Sequence, residues 1–126
     1  MKHYALIPFA ALSLSGCMSL PNYGNGTASA RFGQTANVDG LHVTPLRLLE
    51  DSRCPRGVQC VWAGQVRISV SVRDGSGVDT RELTLGQPVD VSRGQLELVE
   101  VRPERLADRQ ISMRDYRFTF HFMPRR

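Results

Sequence analysis

The sequence predicts an all-β domain, a small antiparallel β-sandwich or barrel of about seven strands. Three observations carry that expectation. Apolar and polar residues alternate over short runs, most clearly where Val66, Ile68, Val70 and Val72 interleave with Arg67, Ser69, Ser71 and Arg73. Turn-forming clusters punctuate the chain at Asp39-Gly40, Asp74-Gly75-Ser76-Gly77, Gly86-Gln87-Pro88 and Ser92-Arg93-Gly94. Near the end Tyr116, Phe118, Phe120 and Phe122 alternate with Arg117, Thr119 and His121, a strand with one face in a core.

Arg31 to Val38 reads as a weak first strand, closed by Asp39-Gly40. Leu41 and Val43 then alternate with His42 and Thr44. Pro45 marks an edge or a bulge, because proline has no N–H for a ladder. Leu46, Leu48 and Leu49 continue toward Glu50. Val61 to Arg73 is the next strand, and Val78 to Leu85 returns antiparallel to it. Val89 and Val91 form a short piece, and Leu96, Leu98 and Val101 a longer one ending near Pro103. Glu104 to Met113 is polar and irregular, with one helical turn expected at Arg105-Leu106-Ala107. Short strands with regular turns fit an immunoglobulin-like sandwich.

The N-terminus has a different pattern. Lys2 precedes the run from Tyr4 to Leu14, apolar apart from Ser13, and the run ends Leu14-Ser15-Gly16-Cys17. It is too short for a permanent membrane span, and Pro8 breaks it further. It closely resembles the lipobox of bacterial lipoprotein signal peptides. The resemblance implies diacylglyceryl transfer to the Cys17 thiol, cleavage before it and acylation, such as palmitoylation, of the new amine. Several chains are needed because one binds a membrane only marginally. Met18 stands where aspartate would retain a lipoprotein in the inner membrane of a Gram-negative bacterium, so for such a source the resemblance favours the outer membrane, and the expected location is the cell envelope on the periplasmic face of that membrane. The segment Met18 to Ala30 is rich in Gly, Asn, Ser and Thr and reads as a tether of about 20 Å average reach. The expected organisation is a signal peptide over 1–16, a lipidated cysteine and flexible tether over 17–30, and a β domain over 31–126.

Losing Lys2 with the leader leaves 15 basic residues, all arginine, against 12 acidic ones, a net charge of +3. The arginines are scattered and interleaved with acids. They describe a solvated surface of mixed charge, not a nucleic-acid stripe. With Cys17 assigned to lipid, Cys54 and Cys60 remain as an even pair in an oxidising compartment and are expected to form a disulfide. Two cysteines without further nearby ligands make a poor zinc site.

Asp51-Ser52-Arg53-Cys54-Pro55 followed by Cys60-Val61-Trp62-Ala63-Gly64 is the distinctive motif. It resembles a segment of small secreted or lipid-anchored bacterial domains. The resemblance implies a β-rich domain with a disulfide-stapled hairpin and carries no activity with it. Two roles stand side by side. As a staple, the loop fixes the fold: Asp51 and Ser52 accept backbone N–H groups at a turn, Arg53 pairs with Asp51, Glu50 or a nearby carbonyl, and Trp62 packs over the bridge or caps the core. As a binding element, it presents Arg53, Arg56 and Trp62 to a partner from a preorganised frame.

Catalytic patterns are weak. His42 and His121 each alternate with apolar residues and are expected to face solvent. No Gly-x-Ser-x-Gly elbow, phosphate-cradling loop or cofactor fingerprint occurs. The sequence therefore predicts a non-enzymatic binding or structural module, anchored to a membrane through Cys17, without cofactor or metal. Its expected partner is an envelope protein or an anionic envelope component, not nucleic acid. Two alternatives are an envelope hydrolase using His42 or His121, and a protease inhibitor offering Arg56 on the Cys54–Cys60 loop.

Overall fold

A computed structural model of the protein describes residues 26–125. The leader and Cys17 lie outside the described residues. Eight strands lie among those described: β1 (Thr27–Ala30), β2 (Ala36–Val38), β3 (Leu41–Asp51), β4 (Val66–Asp74), β5 (Gly77–Thr84), β6 (Val89–Val91), β7 (Gly94–Arg102) and β8 (Arg117–Pro124). They form two antiparallel four-stranded sheets, ordered β1-β8-β7-β6 and β2-β3-β4-β5. The architecture is the expected sandwich, with eight strands instead of about seven. Within it the chain winds as a meander and changes sheet after β1 and after β5.

Period-two alternation builds the core. Val66, Ile68, Val70 and Val72 of β4 point inward and meet Leu96, Leu98, Phe118, Phe120 and Phe122 from the facing sheet. Phe32 sets its ring edge-on to Tyr116 and Phe118 at centroid distances of 5.8 and 4.8 Å.

The structure corrects several boundaries. The weak strand expected at Arg31–Val38 is interrupted by a turn, and only Ala36–Val38 pairs with β3. Thr27–Ala30, read as tether, is β1 and pairs with β8 from Thr27 opposite His121 to Ala30 opposite Phe118. Its inward residues are two alanines, too small to give a strong periodic signal. The strand expected from Val61 begins at Val66, because residues 61–65 belong to the stapled loop. The helical turn lies at Met113–Asp115, not at Arg105–Ala107.

Three β-bulges interrupt the ladders, between Pro45 and Arg47, between Leu48 and Glu50, and between Leu98 and Glu100. Each inserts one extra residue, and the three inserted residues are Leu46, Leu49 and Val99. All three are exposed. A bulge resets the alternation and turns an apolar residue outward, which is why the leucine run defeats a simple reading of faces.

The register defines two poles. At the entry pole lie Thr27, where β1 begins, and the turns β2–β3, β4–β5 and β6–β7. Asp74 ties two of these turns together by accepting hydrogen bonds from Ser76 and Ser92, which hold its carboxyl down at about 2. At the other pole β3 ends, β4 and β8 begin, and the loops 52–65 and 103–116 meet. Eleven residues of β3 separate the two poles by about 35 Å.

Candidate functional site

The loop between β3 and β4 holds the Asp51–Gly64 motif, and nearly every polar group of the motif has a structural partner. Asp51 ends β3 with its side chain only 6% exposed. Its carboxylate accepts two hydrogen bonds from the Arg53 guanidinium, through Nε and Nη2 at 2.9 Å each, a longer one of 3.5 Å from the Arg53 backbone N–H, and one from the Tyr116 hydroxyl at 2.7 Å. The fork of Arg53 matches the carboxylate bidentately. The third guanidinium nitrogen, Nη1, donates to the Val101 carbonyl at 3.1 Å in the opposite sheet. Asp51 and Arg53 thus clasp the two sheets together at this pole.

Burial alone would raise the Asp51 carboxyl, but the hydrogen bonds from Arg53 and Tyr116 outweigh it and hold the group below the usual carboxylate range. Burial, then the hydrogen bond to Asp51, pushes the Tyr116 phenol up to about 12. Arg105 reinforces the loop from the 103–116 side. Its Nη1 donates to the Arg53 carbonyl at 2.7 Å, and its own carbonyl accepts from the Arg56 backbone N–H at 2.8 Å.

The remaining motif residues shape the loop. Ser52 exchanges hydrogen bonds with Gln65, and its carbonyl accepts the Trp62 indole N–H at 3.1 Å. Gly64 sits at φ +71°, and a Cβ there would lie 2.3 Å from the Ser52 carbonyl oxygen. Glycine is required both for the turn and for this close approach. The Cys54–Cys60 disulfide closes the loop with Cα atoms 5.9 Å apart, inside the usual range. Where the loop joins β3 and β4, Glu50 accepts from Gln65, Arg67 and Ser52, which hold its carboxyl low.

The expected binding residues therefore separate. Arg53, with its side chain 17% exposed, is an internal clasp and cannot be offered to a partner without breaking Asp51's hydrogen bonds. Arg56 is exposed, in a long 3.7 Å ion pair with Glu104. Trp62 does not cap the core: it is 57% exposed, pinned at its N–H and open along its ring. Val61 beside it is 99% exposed, and Val58 is exposed too. The tip of the loop is apolar and basic, carried on a backbone tied down at Ser52, Arg53, Arg56 and the disulfide.

The histidines do not come together. His42 lies on β3 and His121 on β8, in different sheets. His121 Nδ1 shares a 3.1 Å hydrogen bond with the Thr27 hydroxyl, and Glu97 stands opposite it in register without a hydrogen bond between them. Among the described residues no three His, Cys, Asp or Glu side chains gather as a metal site would need. The Arg56 backbone N–H is already engaged by Arg105, whereas an inhibitory loop needs that segment free to pair with a protease.

Sequence reasoning missed Tyr116 and Arg105 as supports of the loop. Tyr116 carried a signal, since a tyrosine in a run of core phenylalanines needs a partner for its hydroxyl. Arg105 carried none, being one arginine among many in an irregular segment. No protein-family model, no curated protein and no solved structure matches this chain.

Proposed function

We propose that the protein is a lipid-anchored β domain of the bacterial cell envelope, tethered through Cys17 and acting as a non-enzymatic binding module. The observation that carries this reading is the opposition of the poles. β1 begins at one end of the sandwich, and the stapled loop sits at the other with Arg56, Val58, Val61 and Trp62 open to solvent. A domain tethered at its entry pole holds that loop away from the membrane by the length of the sandwich. The loop's order, maintained by the Asp51–Arg53–Tyr116 clasp and the disulfide, lowers the entropy lost when a partner docks. Exposed tryptophan and arginine are the side chains that most often anchor such contacts.

The test is photo-crosslinking in cells that express the full chain. A benzophenone amino acid at position 61 or 58 is expected to give an adduct of defined mass, and the same group at position 39 of the entry pole is not. Adducts at 39 with none at 58 or 61 overturn the assignment of the contact surface. The anchor is tested separately. Globomycin, or Cys17→Ala, is expected to leave an unprocessed form, and unchanged processing defeats the lipoprotein reading.

A further inference from the structure

On the outer face of the β1-β8-β7-β6 sheet, toward the stapled pole, lies a cleft of about 830 Å³. Its position is set by the strand register. Arg102 of β7 stands directly opposite Arg117 of β8. Arg31 follows Ala30, the last residue of β1, whose partner is Phe118, so it leaves the strand at the level of Arg117. Arg56 reaches the rim from the stapled loop, and all four arginines line the cleft. Like charges directly opposite each other across two strands are destabilising. Arg102 is relieved by Glu100 at 2.7 Å, and Arg56 is loosely paired with Glu104 at 3.7 Å. Arg31 and Arg117 have no ion pair among the described residues. Asp115, the remaining carboxylate of the cleft, is in ion-pair contact with neither.

We infer that this cleft is a binding site for a ligand bearing phosphate or carboxylate groups, with Arg31 and Arg117 as its principal contacts and Arg102 beside them. The row places uncompensated guanidinium groups at the end of β1 and on the neighbouring β8, where one oxyanion can lie between them and accept from both. The floor suits a polar ligand. Ser29 and Thr119 share a 2.8 Å hydrogen bond there and offer hydroxyls at the edge of the arginine row. The volume falls in the range of small-molecule sites. The proposal goes beyond the loop contact, since it concerns a sheet face and not the loop tip, and a crosslink at position 61 requires none of these interactions.

The test uses the full chain purified in an uncharged detergent and titrated with inorganic pyrophosphate and, separately, with citrate. Saturable binding of at least one probe is expected, with the arginine Nε–H resonances of Arg31 and Arg117 shifting and affinity falling steeply with added salt. Pyrophosphate alone identifies a phosphate site and citrate alone a carboxylate site. Arg117→Gln is expected to weaken binding by about tenfold, and Arg31→Gln together with it further still. Arg47→Gln, on the opposite sheet, leaves binding unchanged. Without ligand, Arg117→Gln is expected to hold or slightly raise the urea midpoint, because it removes the like-charge pair. Absence of saturable binding by both probes, binding indifferent to the Arg31 and Arg117 changes, or a clear fall in the midpoint of Arg117→Gln each overturn the proposal.

Discussion

Replacing Asp51 by asparagine removes the negative charge on which three side-chain donors converge. Arg53 contributes two hydrogen bonds of 2.9 Å and Tyr116 one of 2.7 Å. An asparagine keeps one acceptor oxygen and turns an amide N–H₂ toward a donor, so at least one of the Arg53 contacts is lost. Both side chains are largely sequestered, at 6% and 17% exposure. Breaking a buried pair by removing one partner costs about 3–5 kcal/mol. The lower end applies, about 3 kcal/mol, because Arg53 keeps the Val101 carbonyl and some contact with water. With a urea m-value of about 1.5 kcal/mol/M, the midpoint should fall by about 2 M. The assay is urea unfolding of the oxidised chain, followed by circular dichroism. The pH dependence carries a sign. Asp51 has a depressed pKa when folded, so its contribution is complete above the unfolded carboxylate range and disappears as pH falls through the lower folded value. Wild type and Asp51→Asn should therefore differ most at neutral pH and converge in acid. A destabilisation below about 0.5 kcal/mol, the ordinary size of a surface change, would refute the clasp. So would a difference that persists unchanged into acid.

Tyr116 makes the opposite alkaline prediction. Its folded pKa of about 12 lies above the unfolded value near 10, so its contribution is complete below pH 10 and is lost as pH rises through the folded value. Tyr116→Phe should abolish that loss of stability in alkali while costing about 1 kcal/mol at neutral pH, read by the same unfolding assay. Changing both Cys54 and Cys60 to serine opens a loop of sequence separation 6 and should cost about 2–2.5 kcal/mol by loop entropy, measured against the oxidised protein. Two glycines of the same loop should respond unequally. Gly57→Ala has open space around its new Cβ and should cost about 1 kcal/mol for its positive φ, whereas Gly64→Ala meets the Ser52 carbonyl as well and should cost at least about twice that. Equal midpoints for the two variants would contradict the close approach.

Much of the fold was legible because period-two alternation is a local property. The valines of β4 and the aromatics of β8 announce an inward face to any reader of the chain, and Asp39-Gly40 and Asp74–Gly77 announce turns. The first strand was not legible, because Ala28 and Ala30 mark an inward face with two methyl groups and gain their burial from β8, far along the chain. The course of β3 was also hidden. Whether Leu46 or Leu48 turns inward depends on bulges that exist only relative to β4.

The candidate site divides in the same way. The sequence by itself determined that Cys54 and Cys60 are available to each other and that Asp51 and Arg53 are near enough to pair. These are relations over a few residues, set by chain geometry and residue chemistry. Only the tertiary structure decided that Arg53 turns inward to Val101 while Arg56 stays outside, that Tyr116 completes the Asp51 carboxylate from 65 residues away, and that Arg31, Arg102 and Arg117 fall in one row. Those outcomes rest on which strands are neighbours and in what register. The energies that choose the register come from burying the inner faces of the two sheets against each other, a property no short stretch of the chain contains.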